Sequence, residues 1–311
     1  MSGFRIATFN VENLFARYNF KKNVNPEKSA AEGFGINDTA FKLHNDDAKR
    51  ITAKVIKAVN ADIICLQEVE NLKVLDRFCT AYLKGNKSFA AYEHRLLIDG
   101  NDPRQIDVAI LSRFPITALR SHRQERHKSK PLFSRDCLRA DVEIKGKTLT
   151  IYINHLKSMM GGRGNTAARR KLQARRVTEI LREDQGVRML RNFVVLGDMN
   201  DYMDPATPQE NSLTALVEHP KLVNIARRMP EARRWTHYYN KAKSYHQLDY
   251  LLLGTSFDKR AGYPQPDTEQ RGLPLRAKKV TAKRFKGVGK NAPKASDHVP
   301  LFVDIPFSAL K

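Results

Sequence analysis

The stretch Phe193-Val194-Val195-Leu196-Gly197-Asp198-Met199-Asn200-Asp201 joins a strand pattern to a cluster of polar side chains. Its four apolar residues, two of them β-branched, predict a buried strand that ends at Gly197. Asp198 and Asn200 lie on the same side of an extended segment. A carboxylate can bind a metal ion, and an amide can donate to a phosphate oxygen. An ordinary polar turn has the same composition, because Gly, Asp and Asn are common turn residues.

The same pattern, an apolar strand with polar groups at or near one end, recurs along the chain. The polar residues in these positions are Asn10, Glu68, His155, Asp198 with Asn200, Asp249, and Asp297 with His298. Each of them alone also fits a turn, a cap or an exposed position. Together they provide carboxylates for a hard divalent ion, imidazoles for proton transfer and amides for phosphate oxygens. Metal-assisted phosphodiester hydrolysis requires that combination of groups.

Other periodicities predict the elements between these strands. Apolar residues at helical spacing predict helices over residues 46–59 and 72–83, and a basic helix is expected over residues 165–182. Residues 106–111 form a further strand-like run. Lys145-Gly146-Lys147 separates two predicted strands and is typical of a hairpin turn.

Composition points to a folded, strongly basic protein. The chain has 311 residues, of which 41% are hydrophobic, and its net charge is +22. We expect one domain over residues 1–311, with surface excursions near residues 17–47 and 262–295. The charge favours an anionic partner, with nucleic acid ahead of an anionic membrane surface. A basic protein without such a partner is the alternative.

The cysteines and the beginning of the chain predict a cytoplasmic protein. Cys65, Cys79 and Cys137 are odd in number and lack metal-binding spacing, which indicates reduced thiols. The strand-like residues 4–9 begin almost at the initiator Met, without a preceding apolar signal segment. No apolar run approaches the length of a membrane span. We therefore expect a cytoplasmic monomer that does not insert into membranes, with export by an unrecognised route as the alternative.

The polar motifs resemble those of the endonuclease/exonuclease/phosphatase superfamily. This superfamily includes deoxyribonuclease I, exonuclease III-type enzymes, sphingomyelinases and inositol polyphosphate phosphatases. The matching stretches, which occur in the family's order, are Thr8–Asn13, Gln67–Val69, Asn154–Ser158, Gly197–Asn200, Leu248–Tyr250 and Ser296–Pro300. The resemblance implies an α/β four-layer sandwich, in which two mainly antiparallel sheets pack face to face with helices on the outside.

The resemblance also implies a metal centre. Glu68 would be the principal ligand of Mg²⁺, with Asn10 and Asp297 beside the ion. Mn²⁺ is the alternative ion. These assignments come from the family's motifs, and the residues alone leave the metal open.

The resemblance further implies catalytic roles. Asp198 and Asn200 would contact the nucleophilic water and the scissile phosphate, and Asp249 would hold His298 in one tautomer. His155 would face the phosphate from the other side. Either Asp198 or the His298–Asp249 pair could deprotonate the water, and the sequence leaves this choice open.

The motif around His155 resembles deoxyribonuclease I and the sphingomyelinases more than the exonuclease III-type apurinic endonucleases. In deoxyribonuclease I the matching imidazole is paired with a carboxylate. Candidate partners in this chain are Asp99, Asp102 and Asp107.

Two basic segments begin beside or lead into the expected site. Residues 163–176 contain six basic residues and no acid, and residues 276–290 contain seven and no acid. We expect them to bind phosphates, although solvated faces that serve solubility are the alternative. The residues assigned to this contact are Arg163, Arg169, Arg170, Lys278, Lys279, Lys283 and Arg284.

The expected function is therefore Mg²⁺-dependent hydrolysis of nucleic acid, with DNA favoured and an endonuclease foremost. A lipid or inositol phosphodiesterase or phosphatase would share the catalytic set. It should carry an exposed apolar docking loop, and none is evident in the sequence. A non-catalytic nucleic-acid-binding protein could also keep the fold, although every family motif residue is retained here.

Overall fold

The computed structural model describes residues 3–14, 19–20, 41–42, 46–188, 191–258 and 265–311. Most of the excursion expected at residues 17–47 lies outside these residues. The excursion expected at residues 262–295 is described from residue 265 onward. Within the described ranges, no helix is long and apolar enough to cross a membrane.

The strands are short to medium in length and are numbered here in chain order. They are β1 (Gly3–Leu14), β2 (Asn19–Phe20), β3 (Phe41–Lys42), β4 (Ile63–Val69), β5 (His94–Leu97), β6 (Asp107–Ser112), β7 (Ile116–Arg120), β8 (Arg126–His127), β9 (Lys130–Pro131), β10 (Cys137–Ile144), β11 (Lys147–His155), β12 (Phe193–Asp198), β13 (Leu222–Asn224), β14 (His237–Tyr239), β15 (Ser244–His246), β16 (Asp249–Gly254), β17 (Asp267–Thr268) and β18 (Leu301–Pro306).

The helices fall between these strands. The α-helices are α1 (Asp46–Val59), α2 (Leu72–Tyr82), α3 (Arg163–Arg188), α4 (Thr214–Val217) and α5 (Thr255–Asp258). Single 3₁₀ turns span Pro208–Glu210, Ile225–Arg228, Glu231–Arg233 and Phe307–Ala309.

Twelve of the strands form two six-stranded sheets of matching design. Their orders are β17-β18-β1-β4-β6-β5 and β13-β16-β12-β11-β10-β7. In each sheet the two central strands are parallel, β1 with β4 and β11 with β12, and all other neighbours are antiparallel. A parallel pair needs a crossover connection. Helices α1 and α3 lie in these two crossovers, and the expected pair of mainly antiparallel sheets is confirmed.

Three buried apolar clusters show that the sheets and helices form four layers. Ile110 and Leu196 belong to the cluster between the two sheets. Val55 of α1 and Leu75 of α2 pack on the outer face of the first sheet. Val177 of α3 packs on the outer face of the second sheet. The four-layer α/β sandwich implied by the resemblance is therefore confirmed.

The elements differ from the sequence prediction mainly at their ends and at the sheet edges. Helix α1 has the predicted bounds, whereas the basic helix runs over Arg163–Arg188 rather than residues 165–182. Strands β5 and β7 were not predicted. Both lie at sheet edges, and β7 is mostly exposed, so it lacks the apolar alternation that identifies a strand. The predicted hairpin turn is confirmed: Lys145 and Gly146 link β10 to β11 with φ of 50° and 72°.

Candidate active site

The central strands of both sheets bring the polar residues to one end of the sandwich. Asn10 lies in β1, Glu68 near the end of β4, His155 at the end of β11 and Asp198 at the end of β12. The carboxyl ends of parallel strands meet at one edge of a sheet, and an antiparallel neighbour begins there. The remaining residues enter from those antiparallel neighbours: Asp249 begins β16, and Asp297 and His298 come shortly before β18.

Asp198 is the central group of the site. Its Oδ2 accepts hydrogen bonds from the side-chain amides of Asn10 and Asn200, both at 3.0 Å. Its Oδ1 accepts from the Asn200 backbone N–H at 2.8 Å. The Nε2 atoms of His155 and His298 lie 3.5 and 3.9 Å from Asp198 Oδ2. One buried carboxylate therefore contacts or adjoins groups from both sheets.

Asp249 orients His298. Its Oδ2 lies 2.7 Å from His298 Nδ1, and the Asp249 side chain is fully buried. Burial alone would lower the pKa of His298, but the charges of Asp249 and Asp198 raise it well above the usual value. The contact makes Nδ1 the donor, which leaves Nε2 directed toward Asp198.

His155 has a different electrostatic environment. Its side chain is buried, and burial together with the positive charge of Arg135 lowers its pKa well below the usual value. Among the described residues its Nδ1 has no hydrogen-bond partner. At neutral pH we therefore expect an uncharged imidazole that can donate one hydrogen bond from Nε2.

Within the described part of the chain, none of the three candidate carboxylates pairs with His155. Asp102 instead pairs with Arg104 at 2.9 Å and with the buried Arg135 at 3.2 Å. Asp107 accepts a backbone N–H at 2.8 Å, and neither it nor Asp99 forms an ion pair with the imidazole. The carboxylates that adjoin the imidazole are instead those of Asp198 and Glu68, 3.5 and 3.9 Å from Nε2.

Unusual backbone conformations aim several of these side chains. Glu68 has φ of 66° and lies where β4 slips its register between Gln67 and Val69. Asn200 has φ of 52°. Bulges and left-handed residues of this kind redirect side chains and are frequent next to active sites.

Gly197 permits the closest approach of β11 and β12. Gly197→Ala should lower the free energy of unfolding by about 3 kcal/mol, because strain and overpacking combine. The new Cβ would lie 1.9 Å from the Asn154 carbonyl oxygen, at φ of +133°. Gly146→Ala is the matched control, because Gly146 has φ of +72° and an added Cβ there would have no neighbour within 4 Å. Urea unfolding should give the control a loss of only about 1 kcal/mol, and equal losses would contradict the prediction.

The donor set fits a hard divalent cation. Burial raises the pKa of Glu68, and the nearby charge of Asp297 raises it further. Burial also raises the pKa of Asp198, partly opposed by the charge of His298. Oxygen ligands and uncompensated negative charge are what Mg²⁺ and Mn²⁺ favour. Glu68 and Asp297 therefore suit the ligand role that the resemblance implied.

Asn10 links the carboxylates of the site. Its Nδ2 donates to Glu68 Oε1 at 3.2 Å as well as to Asp198. Its Oδ1 accepts the Glu12 backbone N–H at 2.9 Å. In this arrangement Asn10 holds the two acids in place, and its amide oxygen is already engaged.

Sequence reasoning missed several groups that line the same cavity. The cavity, of about 680 Å³, is lined by Glu12, Arg104, Arg135 and His237 in addition to the predicted residues. Glu12 pairs with Lys294 at 2.7 Å, and burial with the charge of Asp297 raises its pKa to about 7. Glu12 lies in the stretch Thr8–Asn13 that matched the family, so this match could have identified it. The two arginines and His237 lie outside every matching stretch, so no motif could have identified them.

The basic residues of helix α3 mostly stabilise neighbouring loops of the protein. Arg170 is fully buried beside Asp201, so the prediction that it binds phosphate is wrong. Arg163 donates to Asp201 at 2.7 Å, and Arg169 donates to the Pro131 carbonyl. Because Asp201 directly follows Asn200, the contacts of Arg163 and Arg170 fix the loop after β12, whereas Arg169 contacts β9. A run of positive charge in a sequence does not reveal such buried partners.

The second basic segment, residues 276–290, is available in part for contact with phosphates. Arg284 donates to backbone carbonyls of its own segment, including that of Leu273 at 2.9 Å, so its guanidinium has a structural role. Lys278, Lys279 and Lys283 are exposed. These three lysines retain the charge and the exposure that phosphate contact requires.

Comparison with known proteins agrees with this geometry. The family model described as "Endonuclease/Exonuclease/phosphatase family" matches residues 5–263. No curated protein gives a significant match. The chain belongs to the endonuclease/exonuclease/phosphatase family, whose members hydrolyse phosphate esters.

Solved structures of low sequence identity share the fold. A family protein from Bacteroides thetaiotaomicron has a TM-score of 0.61 at 14% identity, over 97% of this chain and 94% of that one. TDP2 of D. rerio, complexed with a single-strand DNA product, has a TM-score of 0.58 at 16% identity, over 98% and 99%. A mannosyl-6-phosphatase from B. thetaiotaomicron has a TM-score of 0.58 at 15% identity, over 98% and 100%.

Proposed function

We propose that this protein is a divalent-metal-dependent phosphodiesterase that hydrolyses nucleic acid, with DNA as the favoured substrate and internal cleavage as the favoured mode. The observation that carries the proposal is the placement of Asp198 among two amides and two imidazoles, in a cavity lined by further carboxylates. The cytoplasmic location and the monomeric state remain predictions from the sequence.

The side chains can divide the reaction among them. Asp198 orients a water for in-line attack on phosphorus, and its proton passes either to Asp198 or, where His298 is uncharged, to the His298–Asp249 pair. Asn200 and the neutral His155 donate hydrogen bonds to phosphate oxygens as charge develops there. The contact between Asp249 and His298, at 2.7 Å, keeps the imidazole in one tautomer throughout.

The metal would be held on the Glu68 side of the cavity. Glu68 and Asp297 would hold Mg²⁺ or Mn²⁺, with Asn10 positioning Glu68. A bound ion would supply Lewis-acid stabilisation of the phosphate oxygens. The chain's own contribution is to hold these half-buried acids at one site despite their mutual repulsion.

Charge supports nucleic acid as the substrate. The net charge of +22 favours a polyanion, and Lys278, Lys279 and Lys283 are exposed. The fold similarity to TDP2 complexed with a single-strand DNA product agrees with a nucleic-acid substrate. The fold is also similar to that of a mannosyl-6-phosphatase. A phosphate monoester is therefore the most informative alternative substrate to test beside nucleic acid.

A substrate panel tests the proposal. Supercoiled plasmid, linear duplex DNA, single-stranded DNA, RNA and mannose 6-phosphate are incubated with the protein and Mg²⁺. We expect nicking and fragmentation of DNA within chains, at rates far above phosphate release from the sugar phosphate. Release of phosphate from the sugar phosphate with intact nucleic acids would refute the proposal.

The exposed lysines should contribute to nucleic-acid affinity. The variant Lys278→Gln/Lys279→Gln/Lys283→Gln should bind DNA more weakly irrespective of its sequence, because it loses contacts to phosphate. The slope of log affinity against log salt concentration should fall by roughly one unit for each lost contact. Equilibrium binding at several salt concentrations measures both quantities.

A variant with the same loss of charge elsewhere is the control. Lys84, Lys87 and Lys147 are exposed. Lys147 begins β11, at the end opposite His155, and the other two follow the far end of α2. Their replacement by Gln should leave the salt slope nearly unchanged. An equal effect in the two variants would show that only the net charge matters.

A further inference from the structure

An aromatic series leads from the catalytic centre to the protein surface. The ring of His298 lies 4.6 Å from that of His237, and His237 lies 6.4 Å from Tyr239 with its ring plane tilted by 23°. His237 and Tyr239 are alternate residues of β14, so they share one face of the β14–β15 hairpin. Tyr238, on the other face, is buried.

The outer member of this series is unusually exposed. Tyr239 is 47% exposed, and it lines the cavity that contains His298. Met160, which is 76% exposed, lines the same cavity and follows β11 closely on the His155 side. Exposed side chains of this kind that line one cavity can form the apolar part of a ligand-binding groove. We therefore expect Tyr239 and Met160 to contact a planar or apolar part of the substrate.

Positive charge accompanies these side chains. Lys241 and Lys243, in the turn of the same hairpin, are exposed. An aromatic face bordered by lysines is the combination that binds unpaired nucleotides, because the ring stacks on the base and the cations contact the backbone.

We propose that Tyr239, with Met160 of the same cavity lining, forms a stacking subsite for an unpaired nucleobase next to the scissile phosphate. The inference rests on the proposed function, and it adds that single-stranded or locally unpaired nucleic acid is the preferred substrate. The bases of an intact duplex offer no free face to Tyr239, because both faces are stacked on their neighbours.

The first test is binding without hydrolysis. A short fluorescent single-stranded oligodeoxynucleotide is titrated with protein in EDTA, and its anisotropy is recorded. Tyr239→Ala should weaken binding roughly 5- to 150-fold, the range for loss of one base–aromatic stack. Tyr239→Phe and Tyr239→Trp should retain affinity, because both keep a ring face. For an intact duplex, the effect of Tyr239→Ala should be less than about twofold.

Leu119→Ala is the matched control. Leu119 is 48% exposed, lies in the edge strand β7 and does not line the cavity. Its replacement removes a similar exposed apolar group and should leave binding unchanged. Equal affinities of Tyr239→Ala and Leu119→Ala would overturn the inference.

The second test couples Tyr239 to an individual base. A single abasic nucleotide is moved along the oligonucleotide. At one position at least, it should weaken binding by the wild type but not by Tyr239→Ala, because the stack is already lost. Equal losses in both proteins at every position would overturn the inference.

The outcomes separate this inference from the proposed function. If the wild type binds through Tyr239 but hydrolyses no nucleic acid, the proposed function fails and the stacking subsite stands. If it hydrolyses nucleic acid and Tyr239→Ala binds like Leu119→Ala, the function stands and the subsite fails.

Discussion

Removal of divalent metal with EDTA should reduce nucleic-acid hydrolysis by at least about 10³-fold, since metal-assisted stabilisation supplies several kcal/mol of the barrier reduction. Added Mg²⁺ or Mn²⁺ should restore the rate. The physical reason is the carboxylate cluster, whose members repel one another without a cation. This repulsion is seen at Glu68, where burial and the charge of Asp297 raise the pKa. The initial rate of oligonucleotide cleavage, before and after metal stripping, measures the effect.

A measurement that does not depend on activity locates the metal. Mg²⁺ should raise the thermal unfolding temperature of the wild type, because a ligand that binds the native state stabilises it. The shift should be smaller in Glu68→Gln, which loses one ligand charge. Full hydrolytic activity in a thoroughly metal-stripped sample would contradict the assignment of Glu68 and Asp297 as ligands.

His298→Ala should lower kcat by about 10²-fold or more, as expected for loss of a positioned acid or base. Asp249→Asn should have a similar effect, because the carboxylate lies 2.7 Å from His298 Nδ1 and fixes the tautomer. The double variant should be little slower than either single variant, because the two residues act as a unit. Steady-state kinetics on a DNA oligonucleotide tests all three variants.

The contact between Asp249 and His298 also leads us to expect a change in the pKa of His298 when Asp249 is replaced. The charge of Asp249 contributes to the raised pKa of His298, so Asp249→Asn should move that pKa downward. Titration of the His298 ring by NMR in the metal-free protein measures the shift.

His127→Ala is the control for the kinetic measurements, because His127 is exposed in the small β8–β9 ribbon and does not line the cavity. Additive losses in the double variant would show that Asp249 and His298 act separately.

The central strands were predictable from the sequence, and the edges were not. A strand such as β12 is apolar because it is covered on both faces, and its polar end residues are conspicuous for that reason. The edge strand β7 is largely exposed and therefore looks like a loop. The packing of two mainly antiparallel sheets came from the family resemblance rather than from the strand patterns, and the strand orders and crossovers were not predicted.

The site was predictable only where its residues lie at or near the ends of apolar strands. Arg135 is buried beside His155 and Asp102, yet no local pattern marks it, because its neighbours are far away in the sequence. The same limit explains the failure for Arg170, whose charge is matched by Asp201 within the folded protein. Charge runs show how many cations a segment has, but not which of them are already neutralised.

The pairing of β1 with β18 makes the assembly of the candidate site depend on two segments that lie far apart in the chain. Ser296 Oγ donates to the Asn10 carbonyl at 2.7 Å, across 286 positions of the chain. A chain still emerging from the ribosome has no partner for that edge of β1 until Leu301–Pro306 is exposed. Until then Asp297 and His298 are not in place. Contacts of such long sequence separation form slowly, so the site is completed only after most of the chain has been synthesised.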